Sequence, residues 1–273
     1  MGPLTGVKVL DLSRILAGPW ASQVLADFGA TVWKIEHPLK GDDTRHWGPP
    51  YLNDDENNAS AYFLSANRGK HSIAVDIASK SGQNIIKQLV KQADIVIENF
   101  KVGGLAKYRL DYESLITINP KLIYCSITGF GQTGPDSQKA GYDAMIQASG
   151  GLMSITGVPE GLPGEGPQKV GVAVADLMTG MYAVTAILAA LFHRTQTSRG
   201  QYIDLALLDT QVAWLANQGL NYLTSDNVPN RLGTAHPNIV PYQVFKTQDS
   251  YIMLAVGNDW QFQRCCNVLD LVE

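Results

Sequence analysis

Hydrophobic and polar positions along the chain alternate between short β-rich runs and longer helical ones. GVKVLDL (residues 6–12) and ATVWKI (residues 30–35) predict strands, and WASQVLADFG between them predicts a helix that ends at a glycine. After a polar loop at residues 37–60, further strands are predicted at HSIAVDI, ADIVIENF, KLIYCSITGF, QYIDLAL and YIMLAVG. This order predicts an α/β fold, a Rossmann-like and mostly parallel sheet covered by helices.

A change of texture after Tyr222 predicts a domain boundary. The stretch SDNVPNRLGTAHPNIVPYQ is rich in turn residues, and only one strand and one helix follow it. We expect residues 1–222 to form a large Rossmann-like domain. Residues 223–273 are expected to form a linker and the start of a smaller α+β domain.

One acid interrupts a long apolar segment. Asp176 lies in QKVGVAVADLMTGMYA, and the 16 residues from Leu177 to Phe192 carry no charge. The segment predicts a buried helix with Asp176 in or just before its first turn. Asp176 is then either a helix cap, whose carboxylate accepts backbone N–H groups, or a nucleophile kept ionised by the helix dipole. The segment alone leaves both roles open, and they can coexist.

Polar residues stand at the ends of several predicted strands. Asp11, Glu36, Asn99 and Thr128 occupy these positions. Because parallel sheets bind ligands at the carboxyl ends of their strands, we expect a site at this edge.

Composition excludes several partners and locations. The formal net charge is −4, and no basic run stands out, so nucleic acid is not an expected partner. Three cysteines form neither a disulfide framework nor a metal-binding spacing, which favours a reducing compartment. The 16-residue uncharged run is shorter than the roughly 20 residues that cross a bilayer, so we expect no membrane span. The N-terminal residues predict no targeting peptide, and the expected location is the cytoplasm.

Several common catalytic motifs are absent from the sequence. The first strand is followed by SRILAGP, not by GxGxxG. RGKHS resembles the end of a phosphate-binding loop, but His71 stands where that loop needs Ser or Thr, and the upstream glycine is absent. No GxSxG elbow and no HExxH spacing occur. Neither ordinary dinucleotide binding nor serine or zinc hydrolysis is therefore expected.

An ordered series of other motifs resembles the class III CoA-transferases, the family that includes formyl-CoA transferase, carnitine CoA-transferase and α-methylacyl-CoA racemase. The series comprises LAGPWASQVLADFGATVWKIEHPLKGDDTR, NRGKHSIAVD, VIENF, ITGFGQTGP, GYDAMIQASGGLMSITG, VADLMTGMYA and RLGTAHPNIVPYQVF. It covers essentially the whole chain. GDDTRHWGPP, YCSITGFGQTGP and GTAHPNIVPYQVFKT look most like the branch that moves CoA from succinyl-CoA to other dicarboxylates such as glutarate.

The resemblance implies a catalytic role for Asp176, because the family's nucleophilic aspartate falls in the VADLMTG motif. With an ordinary pKa near 4, this carboxylate would be ionised at neutral pH and would attack a thioester carbonyl. An aspartyl-CoA thioester would then carry CoA from the donor to the acceptor acid. Coenzyme A and acyl-CoA are substrates in this scheme, with no metal or tightly bound cofactor.

The resemblance also implies binding residues. His37 and Lys107 stand where relatives often have arginine, so we expect any phosphate contact they make to be weaker than a bidentate one. Arg45 is a candidate for the remote carboxylate of a dicarboxylate, or else a partner of Asp42 or Asp43. His236 lies where a substrate-covering loop is expected, or is a turn residue before Pro237. The expected CoA contacts are Ala17, His37, Val75, Asp76, Asn99, Phe100, Lys107 and Tyr142.

Two alternatives remain beside the transferase. A racemase would use a histidine where this chain has Tyr142, whose pKa near 10 suits proton abstraction poorly. An inactive CoA-binding homologue is the second alternative, because family members are longer and the C-terminal part of the small domain is expected to be missing here. The resemblance further implies an interlocked homodimer, and dicarboxylate relatives also work in mitochondria.

Overall fold

A six-stranded parallel sheet forms the centre of the computed structural model, which describes residues 2–53 and 59–271. The strand order is β3-β2-β1-β4-β5-β8, and every pairing between neighbours is parallel. The α/β fold predicted from the sequence is confirmed. Part of the predicted polar loop, residues 54–58, lies outside the described residues. The sheet strands are β1 Lys8–Asp11, β2 Thr31–Glu36, β3 Lys70–Ala74, β4 Ile95–Glu98, β5 Ile123–Thr128 and β8 Tyr202–Ala206.

The described residues also form α-helices. They are α1 Ala17–Asp27, α2 Ala61–Ser65, α3 Lys80–Val90, α4 Tyr112–Ile116, α5 Asp143–Ser149, α6 Leu152–Ile155, α7 Val174–Thr197, α8 Leu207–Ala213, α9 Ala216–Ser225 and α10 Asp259–Val268. Two short antiparallel hairpins complete the regular structure, β6 Gly157–Val158 with β7 Gly166–Pro167, and β9 Tyr242–Lys246 with β10 Tyr251–Ala255.

Each face of the sheet carries its own hydrophobic core. Side chains alternate between the two faces of a strand, so Val9 and Ile97 join one core, and Leu10 and Val96 the other. The first core is completed by α1 and α7, and the second by α3 and α4. The central strands are therefore buried on both sides, which explains why ADIVIENF is almost continuously apolar.

The sheet has a topological switch point at β1. Strand β1 pairs with β2 on one side and with β4 on the other, so the chain leaves β1 in one direction and later returns on the opposite side. A crevice opens at the carboxyl ends of strands at such a point. The predicted ligand edge of the sheet is thus the place where the loops after β1 and β4 meet.

The chain divides into two compact units. The first comprises Met1–Ile146 and Gly171–Trp214 and contains the whole six-stranded sheet; the second comprises Gln147–Val170 and Leu215–Glu273. These units differ from the predicted domains 1–222 and 223–273, since residues 147–170 and 215–222 group with the C-terminal residues. Within the second unit Arg231 explains part of this grouping, because its Nε donates to the carbonyl of Val158 at 3.1 Å.

Strand β9 was missed by the sequence analysis. Its first two residues, Tyr242 and Gln243, lie within the stretch interpreted as a turn-rich connector, and its pairing with β10 is short. A glycine divides one predicted helix. The patch at residues 142–155 forms α5 and α6, which are separated at Gly151, whose φ of +86° lies in the left-handed region.

Helix α7 is longer and less buried than predicted. It has 24 residues, and one face packs on the sheet through Ala183, Val184, Ile187 and Ala190. Its other face exposes Phe192 to 68%. By length and composition alone, with a mean hydropathy of 1.7, α7 is also the one helix within residues 2–53 and 59–271 that could cross a membrane.

Candidate active site

A cavity of about 680 Å³ lies at the carboxyl edge of the sheet, within the first unit. Its volume is in the range usual for small-molecule sites. The loop after β1 contributes Arg14 and Ile15 to its wall, the loop after β4 contributes Asn99 and Phe100, and the first turn of α7 contributes Asp176.

The structure brings most of the predicted site residues to this one cavity. Its lining includes all eight positions expected to contact CoA and the expected nucleophile, namely Ala17, His37, Val75, Asp76, Asn99, Phe100, Lys107, Tyr142 and Asp176. Arg45 and His236 are outside the lining. These nine residues come from seven separate segments of the chain, so their convergence is a property of the fold and not of sequence proximity.

Asp176 is the third residue of α7, as the sequence predicts. Its side chain is partly buried and lines the cavity. Gly180, one turn further along, allows α7 to approach α1, because a Cβ there would lie 2.8 Å from the carbonyl oxygen of Ala17. The glycine of the VADLMTG motif therefore fixes the position of Asp176 relative to Ala17, the first residue of α1.

Asp143 accepts the backbone N–H groups at the start of α7, so the capping role that the sequence left open for Asp176 is filled by another acid. Asp143 Oδ1 accepts the backbone N–H of Ala175 at 2.8 Å and that of Asp176 at 3.4 Å. The capping acid thus comes from the first turn of α5, 33 residues before Asp176. The GYD motif contains both Tyr142, which was expected at the site, and Asp143, which was not.

Close backbone contact holds Asp143 in place. Gly129 follows β5, and Gly141 is the glycine of the GYD motif; a Cβ on Gly129 would lie 2.6 Å from the Cα of Gly141. Side chains at either position would force the two segments apart. The paired glycines therefore bring the start of α5 against the end of β5, where the cavity lies.

Burial and a neighbouring acid raise the pKa of Asp176 to about 7, the first cause being the loss of hydration and the second the charge of Asp143. The expectation of an ordinary pKa near 4 is therefore wrong. Among the described residues, no lysine, arginine or histidine forms an ion pair with Asp176.

A second buried acid shows that a raised pKa does not identify a nucleophile by itself. Burial also raises the pKa of Glu98 to about 7, chiefly through loss of hydration. Glu98 accepts the backbone N–H of Phe100 at 2.8 Å and the hydroxyl of Ser126, and it is outside the lining of the large cavity. Asp176 combines the raised pKa with access to a space that can hold substrate.

Tyr62 on α2 also senses the charge at this site. Burial raises the pKa of its phenol, and the charges of Asp176 and Asp143 raise it further. The hydroxyl therefore stays protonated at neutral pH and remains a hydrogen-bond donor. Its ring packs edge-on against Trp47, with centroids 5.1 Å apart.

Arg45 forms an ion pair with Glu36. The sequence offered Asp42 or Asp43 as its alternative partners, and neither is the partner seen. Its Nε and Nη2 donate to the two carboxylate oxygens of Glu36 at 2.6 and 2.7 Å, and its guanidinium lies 3.8 Å from the centre of the Phe63 ring. Burial by itself would raise the pKa of Glu36, but hydrogen bonds from Arg45, Ser72 and the backbone of Asp42, together with the charge of Arg45, lower it to about 2. The turn that carries Arg45 folds back onto Glu36, whose carboxylate also accepts the backbone N–H of Asp42 at 2.9 Å.

The remaining predicted residues have well-defined local contacts. His37 Nδ1 accepts the backbone N–H of Leu39 at 3.2 Å and that of Lys40 at 3.3 Å. Lys107 Nζ lies 4.7 Å from the centre of the Tyr108 ring at the cavity. In the second unit, His236 Nδ1 accepts the N–H groups of Asn238 and Ile239, which is the turn role that the sequence left open.

No group of three or more His, Cys, Asp or Glu side chains within the described residues is arranged to hold a metal ion. The cavity instead offers one acid of raised pKa, several main-chain loops and basic residues such as Lys107. Such a set suits nucleophilic attack on a large substrate that carries negative charge.

The chain belongs to CoA-transferase family III, whose model matches residues 4–273. It is 58% identical to the succinate–glutarate CoA-transferase of Agrobacterium fabrum over 271 residues, which are 98% of this chain and 67% of that protein. It is 51% identical to the human succinyl-CoA:glutarate CoA-transferase, over 99% of this chain and 60% of that protein. The chain therefore spans about three fifths to two thirds of these relatives.

The fold of this chain is similar to that of a solved structure. The crystal structure of a CAIB/BAIF family protein from Brucella suis superposes with a TM-score of 0.89 and 54% sequence identity, covering 99% of this chain and 70% of that chain. The resemblance to the class III CoA-transferases that the motifs indicated is confirmed.

Proposed function

We propose that this protein is a CoA-transferase that moves CoA from succinyl-CoA to a dicarboxylic acid such as glutarate, through an aspartyl-CoA thioester on Asp176. The observation that carries the proposal is the position of Asp176, a carboxylate without a cation partner among the described residues, in a cavity lined by all eight expected CoA contacts. The names of the Agrobacterium and human relatives support the choice of donor and acceptor.

The first half of the reaction transfers CoA to the enzyme. A carboxylate oxygen of Asp176 attacks the thioester carbonyl carbon, the C–S bond breaks, and CoA leaves as the thiolate with a mixed anhydride behind it. The thiolate then attacks the aspartyl carbonyl of that anhydride, and succinate leaves as the carboxylate. No net proton transfer is required, so the site needs an ionised Asp176 but no general base.

The second half repeats these steps in reverse. The acceptor carboxylate attacks the aspartyl-CoA carbonyl and releases the thiolate, which then attacks the acyl carbon of the new anhydride and regenerates Asp176. Each attack forms a tetrahedral oxyanion. Backbone N–H groups in the glycine-rich turn at Gly129, which lines the cavity, are our candidates to stabilise it.

Arg45 stays our candidate for the remote carboxylate of the dicarboxylate. Glu36 competes for its guanidinium, so binding of the substrate would share or displace a bidentate ion pair. Arg45→Lys, which keeps the charge and loses the planar pair of donors, should raise KM for glutarate more than KM for succinyl-CoA. An equal effect on both would contradict the assignment.

The test is to trap the acyl-enzyme. The protein is incubated with succinyl-CoA, treated with hydroxylamine or borohydride, and analysed by intact and peptide mass spectrometry. We expect an adduct on the Asp176 peptide that is lost in Asp176→Asn. Asp209→Asn is the matched control, because Asp209 is likewise the third residue of its helix, α8, but is exposed and outside the cavity lining.

Each outcome separates the alternatives. An adduct in the wild type and in Asp209→Asn, but not in Asp176→Asn, supports the mechanism. A folded wild type that binds CoA and forms no adduct would leave a CoA-binding homologue without transferase activity.

We further infer that the protein acts as a homodimer. Helix α7 exposes Met181, Tyr182 and Phe192 along one face, an apolar surface of the kind that partners cover. Light scattering behind a sizing column tests this. A discrete dimer is expected, and a monomer at micromolar concentration would contradict the inference.

A further inference from the structure

The loop from Ser13 to Leu16, after β1, forms part of the cavity wall but has no part in the chemical steps proposed above. Arg14, Ile15 and Leu16 all line the cavity. The loop stands in the position where dinucleotide-binding proteins carry GxGxxG, and this chain has SRIL instead. The loop has no glycine of its own, and side chains from other segments of the chain hold its shape.

Three consecutive residues of the loop are held through their backbone groups. The carbonyl of Ser13 accepts Lys34 Nζ at 3.1 Å. Asn99 binds Arg14 twice, accepting its N–H at 2.9 Å through Oδ1 and donating to its carbonyl at 2.7 Å through Nδ2. The N–H of Ile15 lies 3.3 and 3.4 Å from the two carboxylate oxygens of Asp42.

Ile15 has a strained backbone. Its φ is +71°, which places a β-branched residue in the left-handed region that rarely accepts one. Such a conformation persists only when its surroundings impose it, and it is concentrated at functional sites. The bonds to Arg14 and Ile15 are the contacts that impose it here.

The anchor on the β2 side is a buried ion pair. Lys34 Nζ and Asp42 Oδ2 are 2.8 Å apart, and each residue is only 1% exposed. Asp42 also accepts the backbone N–H and the hydroxyl of Thr44. Because burying two charges costs about as much as their attraction returns, such pairs contribute more to the choice of one geometry than to stability.

We propose that Asn99 and the Lys34–Asp42 pair are positioning residues, which fix the Ser13–Ile15 loop in the shape that binds the CoA thioester before it arrives. This assignment rests on the proposed function. It gives Asn99 a role beyond contact with the ligand, since both ends of its amide are bonded to the loop. A wall that is already ordered avoids the entropy cost of ordering on binding.

The first experiment compares Asn99→Ala with Asn119→Ala. Asn119 is a matched control, because its amide also bridges backbone groups, donating to the carbonyls of Val90 and Ala93 and accepting the N–H of Lys121, but it is outside the cavity lining. Free coenzyme A is titrated by calorimetry, and thermal denaturation is recorded for each variant. We expect Kd for CoA to rise about 10- to 100-fold in Asn99→Ala and less than about 2-fold in Asn119→Ala.

A second measurement separates positioning from direct contact with CoA. Hydrogen exchange of the ligand-free protein should show faster exchange at Arg14 and Ile15 in Asn99→Ala, and no change there in Asn119→Ala. Ile15→Gly removes the requirement for restraint. If Asn99 acts through the loop, adding Asn99→Ala to Ile15→Gly should cost much less CoA affinity than it costs the wild type. If Asn99 and Ile15 contacted CoA independently, the losses of CoA affinity in the two variants would multiply.

The contrary outcomes are distinct. A wild type that forms the aspartyl adduct, with Asn99→Ala binding CoA as tightly as wild type, would overturn the inference and leave the proposed function intact. Multiplying losses in the Ile15→Gly background, or unchanged loop exchange, would also overturn it. If the wild type neither binds CoA nor forms an adduct, both fail. Should Asn99→Ala not fold, Asn99→Asp, which keeps the acceptor for Arg14 N–H and loses the donor, takes its place in each assay.

Discussion

Carboxylates from two regions of the first unit line the same cavity, and they differ in whether a cation accompanies them. Glu36 and Asp42, at the end of β2 and just after it, are paired with Arg45 and Lys34. Asp176, on α7, has no such partner among the described residues and is instead beside Asp143. The pKa of Glu36 is lowered to about 2, whereas that of Asp176 is raised to about 7.

The difference indicates what each region is for. A paired carboxylate is stabilised as an anion, so it is a poor nucleophile but a dependable anchor for loops. An acid that has lost its hydration without gaining a cation is held at a cost to folding, which a protein tolerates where the group reacts. The cavity thus has a scaffold side and a reactive side.

Removing the reactive carboxylate should have the largest effect. Asp176→Asn keeps the shape of the side chain but cannot form the anhydride, so CoA transfer should fall by on the order of 10⁴-fold, about 5 kcal/mol of transition-state stabilisation. The assay is transfer from succinyl-CoA to glutarate, followed by chromatography of the two thioesters. Glu36→Gln is the matched variant on the scaffold side. A comparable loss of CoA transfer in Glu36→Gln would contradict the distinction between scaffold and reactive carboxylates.

Breaking the scaffold should have the next largest effect, on stability. Lys34→Met leaves Asp42 buried without its cation and should lower the free energy of unfolding by about 3–5 kcal/mol. The double variant Lys34→Met with Asp42→Asn removes both charges, so it should recover much of that loss. Urea denaturation at neutral pH measures both. A double variant as unstable as the single one would show that the charge itself is not what the fold depends on.

The two regions should also respond to pH with opposite signs. The folded pKa of Asp176 lies above its unfolded value of 3.8, so its ionisation destabilises the fold as pH rises from about 4 to above 7. Asp176→Asn should therefore be more stable than wild type at pH 8, by on the order of 2–4 kcal/mol, and equal to it below pH 4.

Glu98→Gln provides the control for this effect. The pKa of Glu98 is also raised to about 7, so its replacement should stabilise the protein over the same pH range without abolishing transfer. Thermal denaturation from pH 4 to 8 checks both variants. Glu36 should behave oppositely, since its folded pKa lies below its unfolded value of 4.5 and its contribution is lost as pH falls towards 2.

Much of the fold and part of the site were predictable from the sequence. The strand pattern predicted the parallel sheet, because buried strands are continuously apolar, and the polar strand ends Glu36, Asn99 and Thr128 do line the cavity. The partner of Arg45 and the raised pKa of Asp176 were not predictable. The first depends on how the turn after β2 folds back onto Glu36, and the second on how much water the carboxylate of Asp176 loses and on its approach to Asp143, 33 residues earlier in the chain.

Asp143 illustrates the limit. Nothing in YDAMIQAS indicates a helix cap for a segment 30 residues later, because the contact exists only once Gly129 and Gly141 have met. A systematic search for acids adjacent to motif residues would have nominated it. Its position gives the most subtle test of the comparison, because it alters the environment of the reactive acid without removing that acid.

Asp143→Asn should keep the cap and remove a charge. An asparagine oxygen can still accept the N–H of Ala175, so α7 should begin at the same residue, while the pKa of Asp176 should fall because one of the two causes that raise it is gone. More Asp176 would be ionised in mild acid, so transfer at pH 6 should rise by a factor of about 2–5 relative to its value at pH 8. The pH–rate profile of each variant measures this shift. Asp143→Ala, which also loses the cap, should instead lower activity at every pH. If the pH–rate profile of Asp143→Asn is identical to that of wild type, burial alone sets the pKa of the nucleophile.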